Sequence, residues 1–206
     1  MKSLLVFLSF FIYTFGYTQT TIFSDSVEFY FLKYLNEHRK TLYGDSVVDL
    51  TINKNASLAC EHHNNYLFDM VWVNKPQNQD KSFKQEKYFI SHGEPQKSTT
   101  SDGSTFEYKG KTQLIPNFAD RIRYYNTNKD FGPIGEVINS GGVRPSNEVQ
   151  AKKVLESFLN SPPHKKILED RDYKYIAIDV MIKGSMVSTV VVTGTGPNEG
   201  LKFNGH

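Results

Sequence analysis

Three side chains in this sequence sit in rigid, punctuated settings and are of types that can do chemistry. His164 follows Ser161-Pro162-Pro163, His92 lies within Ser91-His92-Gly93, and Glu136 follows Gly135 in an otherwise apolar run. An imidazole can carry a proton, take part in a hydrogen bond or ligate a metal. A carboxylate among apolar residues is either paired or proton-bearing, because unpaired burial of charge is costly. Local sequence leaves each role open, since a His after a Pro-terminated helix serves equally well as a cap or a packing residue. His62-His63 looks like a metal motif, but neighbours on a helix point about 100° apart and do not easily share one ion. That pair is expected to be structural. No nucleophile with an adjacent base is evident, and the zinc-protease signature H-E-x-x-H is missing.

The elements that must position these residues follow from periodicity. Across residues 151–168, Ala151, Val154, Leu155, Phe158 and Leu159 recur at the spacing of one helical face. Ser146 opens that helix with Glu148 in its first turn, favourable to the helix dipole. Pro162 and Pro163 lack amide protons and restrict the residue before them, so the helix ends there and His164 begins a new turn of fixed direction.

An earlier helix is predicted over Val27–Lys40, with Val27, Phe31, Tyr34, Leu35 and His38 along its stripe, Ser24 or Asp25 as N-cap and Gly44 near its close. Asn53 caps a second, in which Ala56, Ala59, Cys60, His63 and Leu67 face the core and His62 faces away. Residues 71–108 lose the pattern and read as a long functional loop. A short helix over Asn117–Tyr125 turns Phe118, Ile122 and Tyr125 inward, with Arg121 on its flank. Two β-branched runs, Tyr175–Ile182 and Met186–Thr193, joined by Lys183-Gly184-Ser185, read as a hairpin with Ile176, Ile178, Val180 and Ile182 on one buried face.

Composition narrows the class. The 206 residues, 38% hydrophobic and 22% charged, suit one well-buried domain and argue against disorder. A net charge of +2, with no dense run of Lys and Arg interleaved with aromatics, excludes a nucleic-acid groove. Lys2, the apolar run from Leu4 to Phe15 and Gly16-Tyr17-Thr18 describe a secretory signal peptide over residues 1–18. The expected location is therefore secreted, periplasmic or extracellular, with the membrane touched only during export. The single cysteine, Cys60, permits no internal disulfide and reads as a small buried hydrophobe. Residues 197–206, rich in Gly and Asn, read as a flexible tail.

The ordered set Asn36-x-x-Arg39, Ser91-His92, Asp120-Arg121, Gly135-Glu136, Phe158-Leu159-Asn160-Ser161-Pro162-Pro163-His164 and Ile176-Ala177-Ile178 resembles the CAP superfamily, or SCP domain, of cysteine-rich secretory, antigen 5 and pathogenesis-related 1 proteins. The resemblance covers residues 27–196 and implies a single α+β domain, a three-layer α-β-α sandwich with a central cleft. It maps the cleft histidines onto His92 and His164 and the Gly-Glu-Asn glutamate onto Glu136. It departs at Val137, at Phe158 in place of Trp, and at Ser161 where many members carry a second Glu. Without disulfides the chain looks like a bacterial member.

Two imidazoles and a carboxylate are enough for zinc or another divalent cation with one position open. Glu94 becomes a further ligand if the Gly93 turn brings it round. The expectation is a secreted binding module, non-enzymatic, for a lipid, peptide or protein. The alternative is a metal-assisted hydrolase of peptide or cell-wall material with Glu136 as base or third ligand. A third arrangement is a purely structural hydrogen-bonded network of His92, Glu136 and His164.

Overall fold

Val190, Val191 and Val192 are consecutive, β-branched and at most 1% exposed, which a strand achieves only when both its faces are covered. The computed structural model describes residues 22–73, 90–99, 103, 105–111 and 113–196. The expected signal peptide, the expected tail and residues 74–89 of the expected loop lie outside them.

The valines belong to β6 (Met186–Thr195), paired antiparallel with β5 (Tyr175–Lys183) through a turn at Gly184, whose φ of 60° favours glycine. On its other side β6 pairs antiparallel with β4 (Gly132–Gly142), and a two-residue strand β1 (Thr51–Ile52) lies parallel to β5. The sheet order is β1-β5-β6-β4, so β4 is an edge.

One face carries α1 (Ser24–Tyr43), α4 (Asn147–Leu159) and α5 (Pro162–Glu169). Their Val27, Phe31, Leu35, Val154, Phe158 and Leu168 pack on Ile176, Ile178, Val180, Val187 and Val191. Phe31 and Phe158 meet edge to face at 6.1 Å, locking α1 to α4. The opposite face carries α2 (Lys54–Val73) and α3 (Phe118–Tyr125), whose Ala56, Ala59, Cys60, Leu67, Met70 and Ile122 cover Ala177, Val190, Val192 and Ile138. Each fully buried Leu, Ile, Val or Phe contributes about 1.5 to 3 kcal/mol, so these two cores, without a disulfide, carry the fold.

The expected elements form, with five corrections. Ser24 and Asp25 do not cap α1: Phe23 occupies the N-cap, without a side-chain capping bond, and its amide donates to Asn147 Oδ1 at 2.8 Å, which ties the start of α1 to α4. Arg39, and not His38, completes the buried stripe of α1, because its guanidinium satisfies the carbonyls of Asp170 at 2.6 Å and Tyr173 at 3.0 Å beyond α5. Arg121 is not on the flank of α3 but 1% exposed, and His62 does not face away but is 5% exposed. The expected long loop begins late, since α2 runs to Val73, and it contains a small hairpin of β2 (Lys97–Thr99) and β3 (Thr105–Glu107).

The cap expectations at Asn53, Asn117 and Ser146 hold. Their side-chain oxygens accept from Ala56 N at 2.9 Å, Asp120 N at 2.9 Å and Val149 N at 3.3 Å. Asn36 pins the approach to β1, donating to Leu50 O at 3.2 Å and accepting from Leu50 N at 2.8 Å. The Asn36-x-x-Arg39 pattern is thus a pair of backbone clamps. No helix among the described residues is long and apolar enough to cross a membrane.

Candidate ligand-binding cleft

Gly135 and Glu136 are adjacent on β4, so they face opposite sides of the sheet. On the Gly135 side α5 comes close: a Cβ there would lie 2.9 Å from Ile167 Cγ2, tighter than real contacts allow. The missing side chain is what lets α5 settle against the β4 edge. On the other side Glu136 enters the layer of α2 and α3, its side chain 1% exposed.

Both Glu136 oxygens are engaged. Oε1 meets His92 Nδ1 at 2.9 Å, and Oε2 accepts from Arg121 Nη2 at 2.6 Å. The buried carboxylate is compensated by a buried guanidinium with good geometry, which such a charge requires. With Nδ1 turned inward, the His92 ring, 56% exposed, presents its other nitrogen outward.

His164 stands in the first turn of α5, where Pro162 and Pro163 occupy positions whose amide protons a helix leaves unused. Its ring packs edge-on against Phe158 at 5.5 Å. Burial, and then the nearby charge of His92, hold the His164 ring below its ordinary value. The two imidazoles therefore approach the β4 edge from opposite layers and sense each other. Ser161 is the N-cap of α5; its carbonyl accepts from Lys165 N at 2.8 Å and its side chain makes no capping bond.

Arg121 does more than neutralise Glu136. Its Nη1 and Nη2 reach the His92 carbonyl at 3.2 and 3.3 Å, and Nη1 lies 3.4 Å from Glu94 Oε1. Glu94, 3% exposed, is turned away from the cleft, so the Gly93 turn does not deliver it as a ligand beside His92. The turn itself is tight: a Cβ on Gly93 would lie 2.9 Å from the Pro116 carbonyl. Glu94 instead meets His63 Nδ1 at 2.9 Å and His62 Nε2 at 3.1 Å, and accepts from the Ile115 amide at 2.8 Å. Burial alone would raise this carboxyl; the hydrogen bonds from His62, His63 and Ile115, together with Arg121, outweigh it and hold the group down at about 2.

His62, His63 and Arg121 are the residues that sequence reasoning did not place in the site, and Glu94, expected there only as a ligand beside His92, joins them instead. A signal existed. Ala59, His62, His63, Tyr66, Leu67 and Met70 share one helical stripe, and Phe118, Arg121, Ile122 and Tyr125 share another. A stripe wider than 100° holds both members of an adjacent pair.

Two neighbouring imidazoles suit a divalent cation, and a carboxylate on the inward nitrogen of His92 is the usual orienting partner for such a ligand. The Glu136 carboxylate itself does not suit direct coordination, because the Arg121 guanidinium already holds its second oxygen. Among the described residues, no three His, Cys, Asp or Glu side chains are gathered as a coordinating group. Cys60, 1% exposed and with its thiol pushed up by burial, offers no nucleophile.

No family model matches the chain, and no curated protein is similar to it at a significant level. Among solved structures it is similar to an outer surface protein of Borrelia burgdorferi, with a TM-score of 0.51 and 18% identity over 84% of this chain and 93% of that one. An extracellular protein containing an SCP domain from Bacillus anthracis gives a TM-score of 0.47 and 14% identity over 82% of this chain and 41% of its own. A cysteine-rich secretory protein from Staphylococcus aureus gives 0.42 and 13% over 84% of this chain and 39% of its own. In its layers and its sheet order the chain is a three-layer α-β-α sandwich, a fold it shares with the Borrelia surface protein over most of both chains.

Proposed function

We propose that this chain is an extracellular binding module whose cleft at the β4 edge takes its ligand through the outward nitrogens of His92 and His164. One observation carries the reading: Glu136, the carboxylate that the resemblance maps onto the cleft, is buried with one oxygen on His92 and the other on Arg121. A general base needs a free oxygen within reach of a water or substrate proton. Glu136 instead fixes the His92 ring, which makes it a positioning residue and favours binding over metal-assisted hydrolysis. The export signal expected in residues 1–18 supports the extracellular part of the reading.

A divalent cation is the simplest probe of two neighbouring imidazoles. Held there, zinc would supply a Lewis-acidic point for an anionic or carbonyl-bearing group of a lipid, peptide or protein. His92 and His164 would hold it and Glu136 would orient His92. Calorimetric titration of zinc into the wild type, His92→Ala, His164→Ala and Glu136→Gln tests this. Binding is expected in the wild type, lost in both histidine variants and weakened about 10-fold or more in Glu136→Gln, the scale for losing an orienting carboxylate. Wild-type affinity retained in either histidine variant would remove the cleft as the ligand's place.

A further inference from the structure

The face of α5 turned away from the sheet borders a cavity. Pro162, Lys165, Lys166 and Glu169 fall three and four residues apart on that face, while Ile167 and Leu168 pack inward on the other. Tyr43 at the end of α1, with Asp170 and Arg171 beyond α5, closes the stripe into a space of about 500 Å³. Small-molecule sites span roughly 300 to 1,000 Å³, so the space suits an organic ligand and exceeds what a bare ion fills.

Both acidic groups of the lining are already engaged. Glu169, its side chain 16% exposed, meets His38 Nε2 at 2.7 Å through Oε1. Asp170 Oδ1 accepts from the Asp172 amide at 3.0 Å, and its carboxylate lies close enough to the buried Arg39 guanidinium to favour that charge. The three cations are not engaged in the same way. Lys165 Nζ comes only to 3.8 Å from Glu169 Oε1. Lys166 and Arg171 have no ion-pair partner among the described residues, and Arg171 rests over the Tyr43 ring at 5.9 Å. The outer face of α4 is built differently: Lys152 and Lys153 each meet a glutamate of their own helix at 2.8 Å. A merely solvated helix face looks like α4; the α5 cavity holds cations to spare and attracts an anion.

The donor set narrows the anion. Two ammonium point charges from adjacent helical positions and one guanidinium fork match a tetrahedral, doubly charged phosphate better than a planar, singly charged carboxylate. Tyr43 and Pro162 supply apolar surface for the body that carries it.

We infer that this cavity binds an organic phosphate monoester, its phosphate on Lys165, Lys166 and Arg171 and its organic body against Tyr43 and Pro162. It is a second site, on the side of α5 away from His164, and it stands whatever the His92 cleft takes. A free phosphate ester and the headgroup of phosphatidic acid present the same group.

Calorimetry on the full chain, at low ionic strength and without divalent metal, tests this with phenyl phosphate and with inorganic phosphate. Vesicles of phosphatidylcholine, with and without phosphatidic acid, form the second arm. The wild type is expected to bind phenyl phosphate at one site, more weakly as salt is added. Lys166→Ala and Arg171→Ala should each lose about 10-fold or more, the scale for one hydrogen bond to a charged group. Both residues are exposed, so neither change reaches the core. Lys54→Ala, on the opposite helical layer, should bind as the wild type does. Inorganic phosphate should bind several-fold more weakly, and equal affinity would overturn the place given to the organic body. Binding of phenyl phosphate with no gain from phosphatidic acid in the vesicles upholds the site and assigns a free ester. Vesicle retention that needs phosphatidic acid and is lost in Arg171→Ala upholds it and assigns a headgroup. No saturable binding in either arm, wild-type affinity in both variants, or an equal loss in Lys54→Ala would overturn the site.

Discussion

The Arg121 guanidinium and the Glu136 carboxylate meet at 2.6 Å with both side chains 1% exposed, at the point where α3 crosses β4. Arg121 also lies against Glu94, so one buried cation stands between two buried anions. Breaking such a pair from one side leaves charge without compensation. Arg121→Gln is expected to lower the unfolding free energy by about 3 to 5 kcal/mol. In a Glu136→Gln background the cost should be smaller, since one of the two stranded carboxylates has gone; equal costs in both backgrounds, measured by urea denaturation, would mean the two residues are not coupled.

The pH dependence of stability has two opposed limbs. Burial pushes Glu28 up to about 7 and Asp179 up to about 6, from 4.5 and 3.8. Both lie where α1 and α2 cross β5: Glu28 Oε1 accepts from Val180 N at 3.0 Å, and Asn64 donates to Asp179 Oδ2 at 2.5 Å. A carboxyl raised by folding stabilises while protonated, so this contribution is complete below the unfolded values and is lost as pH rises through about 6 to 7. Glu94, held at about 2, acts in reverse: its contribution is complete above 4.5 and is lost as pH falls toward 2. Stability should peak in mildly acidic solution. Glu28→Gln is expected to remove on the order of 2 kcal/mol of the decline toward neutral pH. A urea midpoint that falls equally with pH in wild type and variant would contradict this.

Gly135 is the seat of α5. Gly135→Ala places a methyl 2.9 Å from Ile167 Cγ2, so the helix must lift or Ile167 must turn. Overpacking of this kind costs roughly 1 to 3 kcal/mol, and here it also moves His164 away from His92. Pairing it with Ile167→Ala should restore both thermal stability and zinc affinity relative to Gly135→Ala alone. No recovery of either would show that the contact is not the constraint.

Arg39 anchors the chain leaving α5 by three carbonyls, those of Leu168, Asp170 and Tyr173. A lysine there has one nitrogen for a fork of acceptors, and its charge is more strongly hydrated. Arg39→Lys is expected to cost about 2 kcal/mol, because buried carbonyls lose their donors. The companion change His38→Gln, at a partly exposed residue whose Nε2 meets Glu169 at 2.7 Å, should cost about 1 kcal/mol or less. Chemical denaturation of the two variants side by side checks the order.

Much of this molecule could be read from neighbours along the chain. The hairpin at Gly184, the N-caps at Asn53, Asn117 and Ser146, and the break at Pro162 are decided within a few residues, by turn and capping chemistry that acts locally. The apolar stripes fixed most of the buried helix faces and one buried face of the hairpin, while the sheet between two helical layers was implied by the resemblance alone. The resemblance paired His92 with Glu136, and the structure joins them at 2.9 Å.

Charge type misled where spacing did not. Arg121 and His62 occupy inward positions of their stripes, yet a polar side chain at such a position is buried only if a partner arrives from elsewhere. Those partners, Glu136 and Glu94, are 15 and 32 residues away in sequence and come from different elements.

The sequence by itself determined the elements, their order and the faces they bury, because propensity, capping and periodicity act within one turn or one strand. Only the tertiary structure decided that Glu136 is spent on Arg121 and that Glu94 turns inward to His62 and His63. Hydrogen-bond partnership and the cost of a buried charge depend on which groups meet across packed layers, and no spacing along a single element records that.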